Sequence, residues 1–143
     1  MSQELQNAFD NPDYLVVSGS RLYGTDRPGS DWDYRGFTIP PFDYLIGLQN
    51  FEMGSGKGED HKVFSLKRFF DLVSMGDPQS TEILFVPYKK IVKITKVGQK
   101  VRDNRSLFIS NLIYKRIMGY GYSEWRKAMG ERLIIEKRSK TLD

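Results

Sequence analysis

Two aspartates two positions apart are the residues of this chain most suited to chemistry. Asp31 and Asp33 stand at the mouth of a segment that we predict to be a β-strand. Because side chains alternate along a strand, both carboxylates are expected on the same face, close together. Two unpaired like charges at that separation destabilise a fold, and a divalent cation removes the penalty. Hard oxygen ligands of this kind suit Mg²⁺ or Mn²⁺, and the structural alternative is a solvated acidic loop.

A glycine–serine turn precedes these aspartates. Residues 14–17 are β-branched and aromatic, which predicts a short buried strand, and they run through Ser18 into Gly19 and Ser20. With glycine at this point a phosphate can approach the main chain without a Cβ in the way, while serine supplies a hydroxyl. An isolated glycine–serine turn would usually be only structural, so its interpretation depends on the aspartates that follow.

The remaining segments must position this stretch. We predict strands over 14–17, 33–39 and 60–64, helices over 2–8, 42–48 and 65–73, and a flexible connection over 53–58. Asp77-Pro78 predicts the start of a further helix, because an acidic cap followed by proline favours helix initiation. The pattern indicates an α/β or α+β fold in which a small mixed sheet is flanked by helices.

The C-terminal part is expected to be helical throughout. Ile109, Ile113 and Ile117 recur every four residues, which predicts a stripe that faces the core. Gly119 and Gly121 interrupt this pattern, either through close helix packing or through a break in the helix. We divide the chain into a core over 1–90 and a basic helical segment over 91–143 that packs on the same domain.

Composition excludes several classes of protein. A chain of 143 residues has the size of one domain with a single core. Cysteine is absent, so disulfides and thiolate metal sites are excluded, and the lone His61 rules out sites that need several histidines. No apolar run is long enough to span a bilayer, and residues 1–10 lack the layout of a secretory signal. We therefore expect an intracellular enzyme or binding protein with no membrane contact.

Charge is distributed unevenly along the chain. Residues 1–88 carry 7 basic and 13 acidic side chains, whereas residues 89–143 carry 15 basic and 5 acidic ones. This asymmetry indicates a metal site beside a surface for phosphates or nucleic acid, or else a set of solvated lysine-rich helices. Aromatic and basic side chains that could stack bases and hold phosphates interleave at Tyr114, Lys115, Arg116, Tyr120, Tyr122, Trp125, Arg126 and Lys127. The alternative is a helix that buries these aromatic side chains and leaves its cations in solvent, and we favour this alternative over nucleic-acid binding.

Together the strand, the glycine–serine turn and the aspartate pair resemble the signature of DNA polymerase β-like nucleotidyltransferases. The stretch GSRLYGTDRPGSDWDYRG is similar to a pattern of predicted bacterial and phage nucleotidyltransferases. The similarity continues through IPPFDYLIGL and DHKVFSLKRFFDLVSMGDPQSTEILF and, more weakly, KRIMGYGYSEWRKAM, so it covers roughly residues 15–129. It implies the nucleotidyltransferase core fold and a cytoplasmic protein of a bacterial or phage-infected cell.

The resemblance also implies a role for individual residues. Gly19 and Ser20 would hold the triphosphate, and Asp31 and Asp33 would bind the catalytic metals, Mg²⁺ or Mn²⁺. A third carboxylate from the next core strand would be Asp60, because the neighbouring Glu59 is one residue out of phase and would face away. Arg21 and Arg35 also lie within the motif. Three roles are open for each of them: contact with phosphate, bracing of the aspartates, or a structural ion pair.

The implied activity is transfer of a nucleoside monophosphate from a nucleoside triphosphate, such as ATP, to an acceptor. The acceptor is left open between an RNA end, a protein hydroxyl and a small molecule. The alternative is a nucleotidyltransferase-like protein of little or no activity that binds nucleic acid or another protein. Family members commonly continue into a further helical region, so we expect that this chain either lacks that region, is naturally short, or pairs with a partner chain.

Overall fold

The computed structural model describes residues 2–46, 51–55 and 60–140 of the chain. Five strands form one mixed sheet: β1 Tyr14–Ser18, β2 Asp33–Thr38, β3 Met53–Ser55, β4 His61–Ser65 and β5 Ile91–Ile94. Their order across the sheet is β3-β4-β2-β1-β5. Strands β2 and β4 are parallel, while the other neighbours are antiparallel. The predicted α/β class, a small mixed sheet with flanking helices, is confirmed.

The described residues also form seven α-helices: α1 Gln3–Asp10, α2 Gly19–Tyr23, α3 Phe42–Ile46, α4 Leu66–Ser74, α5 Pro78–Glu82, α6 Lys96–Asp103 and α7 Asn111–Lys140. Two short 3-10 helices, Tyr88–Lys90 and Arg105–Phe108, complete the described elements. Several helices are preceded by a side chain that accepts a hydrogen bond from an N–H group of the first turn, which has no partner within the helix. Ser65 accepts from the Arg68 N–H at the start of α4, and Asp77 accepts from the Ser80 N–H at the start of α5. The helix predicted to begin at Asp77-Pro78 is confirmed.

Hydrophobic side chains pack on both faces of the sheet. On one face the largest buried cluster joins strand residues such as Tyr14 and Phe37 to Phe69 of α4. On the other face Leu15 and Val63 pack against α1. Because side chains alternate, the residues of β2 on the Phe37 face are Asp33 and Arg35. The α4 face of the sheet thus presents polar side chains where β1 ends and β2 begins.

Two of the observed strands lie where the sequence analysis placed other structure. Met53–Ser55 is an edge strand paired with β4, so the prediction of a flexible connection is wrong for these residues, while 56–58 lie outside the described chain. Gly54 packs on Phe9, since a Cβ there would lie 2.2 Å from that ring. Ile91–Ile94 pairs with β1, so the prediction of an entirely helical C-terminal part is also wrong. Its β-branched isoleucines and valine favour a strand, and the open edge of β1 supplies the partner.

Helix α7 runs without a break through Gly119 and Gly121. A Cβ at either glycine would meet nothing within 4 Å, so neither close packing nor a break explains them, contrary to the prediction. The predicted isoleucine stripe is buried only at Ile113, which is 4% exposed, whereas Ile109 and Ile117 are half exposed. In the part of the chain that the structure describes, none of the helices is long and apolar enough to cross a membrane.

A buried arginine ties α6 to the core. Arg102 is 4% exposed and donates to the Tyr14 hydroxyl at 3.0 Å, to the Leu84 carbonyl at 2.8 Å and to the Val86 carbonyl at 2.6 Å. These two carbonyls follow α5 and accept no other hydrogen bond from the residues that the structure describes, so Arg102 satisfies them. The guanidinium therefore connects α6, β1 and the segment after α5.

Candidate active site

A cavity of about 730 Å³ opens between the polar edge of the sheet and the helices α5 and α7. The sheet side is lined by the end of β1, the start of β2 and the residues around the start of β4. The opposite side is lined by α5, the residues that follow it, and the start of α7. Volumes of this size are typical of small-molecule sites in proteins.

Gly19 and Asp33 are in direct contact in this cavity. Ser18 of β1 pairs with Asp33 of β2, so the glycine after the strand lies beside the aspartate. Gly19 has a left-handed backbone with φ of 63°, and a Cβ built on it would lie 2.0 Å from Asp33 Oδ2. Only glycine fits here, for its backbone angle and for its closeness to the carboxylate. The turn and the second aspartate, predicted to act together, meet at one point.

A buried hydroxyl lies next to this contact. Ser18 lines the cavity, is 2% exposed, and its Oγ has no hydrogen-bond partner within the described part of the chain. A buried polar atom without a partner is uncommon and is often completed by a ligand or an ion. Ser20, the serine predicted to bind phosphate, is not among the lining residues, and its carbonyl accepts from the Thr25 N–H at 3.0 Å. Ser18 was not singled out in the sequence because nothing there shows which serine is buried.

The three predicted metal ligands occupy different positions. Asp33 and Asp60 both line the cavity, whereas Asp31 is exposed before β2 and does not. Strand β4 begins one residue later than expected, at His61, and Asp60 lies in the preceding turn with φ of 51°. Glu59, the rejected alternative, lies outside the described residues. Among residues that the structure describes, no three acidic or histidine side chains are grouped closely enough to hold a metal ion by themselves. The assignment of all three as ligands stays a prediction.

Arg21 braces the loop that carries Asp31. Its guanidinium donates to the carbonyls of Ser30 at 2.6 Å and Asp31 at 3.2 Å, and pairs with Asp26 at 3.2 Å. It also lies 4.1 Å from the centre of the Trp32 ring, a cation–π contact. Of the roles considered for Arg21, its contacts support two, bracing of the aspartate loop and a structural ion pair.

The Trp32 ring continues into a stack on the edge of the site. It packs on Tyr34 with ring centres 6.1 Å apart, and Tyr34 packs on His61 at 4.4 Å. His61 is half-buried by this stack. The stack joins the segment before β2 to the start of β4, where the Tyr34 N–H also donates to the Asp60 carbonyl at 3.2 Å.

Cations and further acids complete the lining. Arg35 of β2 and Lys62 of β4 are paired across the two strands, and both line the cavity on the sheet side. On the helix side the Tyr23 hydroxyl donates to a Glu82 carboxylate oxygen. Partial burial and that hydrogen bond raise the pKa of Tyr23 to about 12, so the phenol stays protonated at neutral pH. No spacing pattern in the sequence relates Tyr23 to Glu82, because 59 residues separate them.

Helix α7 exposes its aromatic side chains. Tyr114, Tyr120, Tyr122 and Trp125 are each at least 58% exposed. The interpretation that this helix buries its aromatics is therefore wrong, because α7 touches the rest of the described chain mainly near Ile113. We call the four cations beside these rings the basic surface: Lys115, Arg116, Arg126 and Lys127. Lys127 pairs with Glu124 at 2.7 Å, and the Tyr122 and Trp125 rings stack 5.9 Å apart.

Comparisons with known proteins identify the family of this chain. A sequence model of a protein family, described as RNA repair pathway DNA polymerase beta family, matches residues 12–140. An "Uncharacterized 38.9 kDa protein in nrdC-mobD intergenic region" of Enterobacteria phage T4 is 36% identical over 115 residues, which cover 71% of this chain and 34% of that protein. The chain thus spans about a third of the length of this relative. No solved structure matches. The chain belongs to the RNA repair pathway DNA polymerase beta family, a branch of the polymerase β-like nucleotidyltransferase superfamily.

Proposed function

We propose that this protein transfers a nucleoside monophosphate from a nucleoside triphosphate to an acceptor, with Mg²⁺ or Mn²⁺ held at Asp33 and Asp60. The observation that carries the proposal is the contact between Gly19 and the Asp33 carboxylate inside the cavity. A phosphate chain that approaches the bare backbone of Gly19 reaches a carboxylate suited to a divalent cation. Family membership supports the same type of reaction.

The residues present fit such a metal. Mg²⁺ is usually bound through one or two carboxylates together with substrate phosphates and water, so a complete protein cage is not needed. Asp33 and Asp60 supply hard oxygen donors in one cavity, with the unpartnered Ser18 hydroxyl beside them. When bound, the metal would activate the attacking hydroxyl and neutralise charge on the leaving pyrophosphate. Asp31 would join if its braced loop moves toward the bound triphosphate.

The chain's own residues account for binding and orientation. Gly19 admits phosphate to the main chain, while Arg35 and Lys62 offset the negative charge of the triphosphate. Arg21 holds the loop before β2, so Asp33 keeps its place over the glycine. Phosphoryl transfer needs mainly positioning and charge neutralisation, and these residues provide both. No cysteine or histidine nucleophile is required.

As acceptor we propose an RNA end. The description of the family names an RNA repair pathway. In addition, the exposed aromatic side chains beside the basic surface suit single-stranded RNA, because its bases stack on aromatic rings while its phosphates contact cations. A protein hydroxyl or a small molecule is the alternative acceptor. The relative encoded by a phage supports a reaction in the cytoplasm of a bacterial or phage-infected cell.

A binding protein without activity is the second candidate. The position of Asp31 outside the cavity lining favours it, because the described carboxylates do not form a three-ligand site without substrate. Such a protein would bind RNA or a partner chain through α7 and would not turn over a nucleotide. Binding and transfer assays separate the two candidates.

Calorimetry with a non-hydrolysable nucleoside triphosphate tests the proposed site. We expect binding that depends on Mg²⁺ or Mn²⁺ and that is strongly weakened in the Asp31→Asn/Asp33→Asn double variant. Asp43→Asn is the control, since Asp43 is exposed on α3 and is not among the residues that line the cavity. Equal affinity of the double variant, the control and the wild type would refute the assignment.

A further inference from the structure

The helix side of the cavity differs from the sheet side in charge and polarity. Both cations of the lining, Arg35 and Lys62, lie on the sheet. The facing wall is largely apolar and is formed by Pro78, Phe85, Ile109, Ile113, Ile117 and Tyr120. Phe85 is 45% exposed and Tyr120 is 66% exposed, so these side chains offer open apolar surface rather than a closed core.

Two acids lie in this apolar wall, and each accepts one hydrogen bond from the protein. The Asp77 carboxylate caps α5 by accepting from the Ser80 N–H at 2.8 Å. Glu82 accepts from the Tyr23 hydroxyl, and no cation pairs with it in the part of the chain that the structure describes. An ionised carboxylate has room for several donors, so Glu82 keeps unused acceptor capacity.

The position of Glu82 restricts what it can contact. A carboxylate repels a triphosphate, and no cation offsets the charge of Glu82 in the described chain. On the sheet side the two acids, Asp33 and Asp60, would be neutralised by the bound metal, and the two cations add positive charge. The phosphates must therefore lie on the sheet side, near Gly19. The part of the ligand beside Glu82 must then be uncharged and must offer N–H or O–H donors. A nucleoside meets both conditions, because its base has apolar faces and its amines and sugar hydroxyls are donors.

We infer that the wall between α5 and α7 is the nucleoside subsite, in which the base packs on the apolar side chains and Glu82 accepts a hydrogen bond from the nucleoside. The inference rests on the proposed function, because it uses the placement of the phosphates at Gly19. Tyr23 is the donor that satisfies Glu82 when no nucleoside is bound. With its pKa raised to about 12, the Tyr23 hydroxyl remains a donor throughout the neutral range.

Glu82 is thus a specificity residue, and the nucleoside offers two kinds of hydrogen-bond donor that it could recognise. One is an exocyclic amine of the base, which ATP has and inosine triphosphate lacks at the same position. The other is a ribose hydroxyl, which 2′-deoxy-ATP and 3′-deoxy-ATP lack singly. Sites that hydrogen-bond a substrate donor reject analogues without it strongly, because the protein acceptor is then left without a partner.

The test measures Mn²⁺-dependent binding of ATP, these three analogues and inorganic tripolyphosphate to the wild type and to Glu82→Gln. We expect Glu82→Gln to weaken ATP binding about 10-fold, because the amide oxygen of glutamine is a weaker, neutral acceptor than a carboxylate, and to leave tripolyphosphate binding unchanged. Discrimination between ATP and one analogue should also decrease in this variant, and that analogue identifies the donor. Glu4→Gln is the matched control, because Glu4 is exposed on α1.

Tyr23→Phe is the second variant. It keeps the ring and removes the hydroxyl that competes for Glu82, so ATP should bind as tightly as to the wild type or tighter. Thermal denaturation of each variant confirms that the fold is retained.

Three results would overturn the inference. They are equal loss of ATP and tripolyphosphate binding in Glu82→Gln, unchanged ATP binding in that variant, and a loss in Tyr23→Phe as large as in Glu82→Gln. If the wild type binds tripolyphosphate but binds ATP no tighter, the inference fails while the proposed phosphate and metal site stands. If it binds neither ligand with Mn²⁺, the proposed function fails as well.

Discussion

Replacing Gly19 with alanine should separate the metal and nucleotide site from the general stability of the fold. Gly19 and Gly24 both have left-handed backbones, with φ of 63° and 71°. Alanine in this conformation costs about 1–2 kcal/mol, so each variant should lose that much stability. For a domain of this size the loss corresponds to a fall in Tm of about 3–8 °C.

The two positions differ in what the new methyl group meets. At Gly24 nothing lies within 4 Å of the added Cβ, whereas at Gly19 the Cβ would lie 2.0 Å from Asp33 Oδ2. The carboxylate must move by about 1.4 Å to reach an ordinary contact of 3.4 Å. A catalytic group displaced by about 1 Å can cost about 100-fold in rate, and a disturbed metal ligand about 10–100-fold in affinity.

Calorimetry with Mn²⁺ and a non-hydrolysable nucleoside triphosphate measures the difference. Gly19→Ala should bind about 10–100-fold more weakly than Gly24→Ala, while the two variants melt at similar temperatures. Gly24→Ala should bind as the wild type does. If both variants bind the nucleotide with the same affinity, the Asp33 carboxylate is not part of the binding site and the reasoning is wrong.

Three further predictions concern other parts of the molecule. Arg102→Met should lower the free energy of unfolding by about 2–4 kcal/mol in urea titrations, because it leaves buried carbonyls without donors; a loss below about 1 kcal/mol would contradict this role. Asp60→Asn should weaken Mn²⁺ binding with little change in Tm, because asparagine tolerates the left-handed backbone at this position, and Asp43→Asn should change neither; unchanged Mn²⁺ affinity would remove Asp60 from the ligand set. Neutral glutamines at all four residues of the basic surface should reduce the slope of log affinity for single-stranded RNA against log salt by up to about 3, without affecting nucleotide binding; an unchanged slope would place RNA elsewhere.

Local features of the site were predictable because short stretches of chain determine them. The buried strand before Gly19, the strand after Asp31 and the cap at Asp77 each follow from residue type and spacing within about ten positions. The contact between Gly19 and Asp33 then results from the antiparallel pairing of the two strands that carry them. Strong local patterns of this kind also explain why the fold class and the family were recognised.

Features that depend on distant parts of the chain were not predictable in the same way. Strand β5 has four residues and needs the open edge of β1, which is far away in sequence. The Tyr23–Glu82 hydrogen bond joins residues that are 59 positions apart in sequence. The hydrogen bond from the buried Arg102 to Tyr14 joins residues that are 88 positions apart. The aromatic side chains of α7 have the same periodicity whether a partner covers them or solvent does, so their exposure could not be determined from spacing.

Transfer of label from a nucleoside triphosphate to RNA tests the central claim most directly. The protein would be incubated with Mg²⁺, single-stranded RNA and each of four triphosphates labelled at the α-phosphorus, with Asp33→Asn as the inactive control and Asp43→Asn as the active one. The proposed function predicts that RNA acquires the label from at least one triphosphate with the wild type and Asp43→Asn but not with Asp33→Asn. Tight metal-dependent binding of nucleotide with no labelled RNA, protein or small molecule, even when cell extract is added, would contradict it and favour the binding protein.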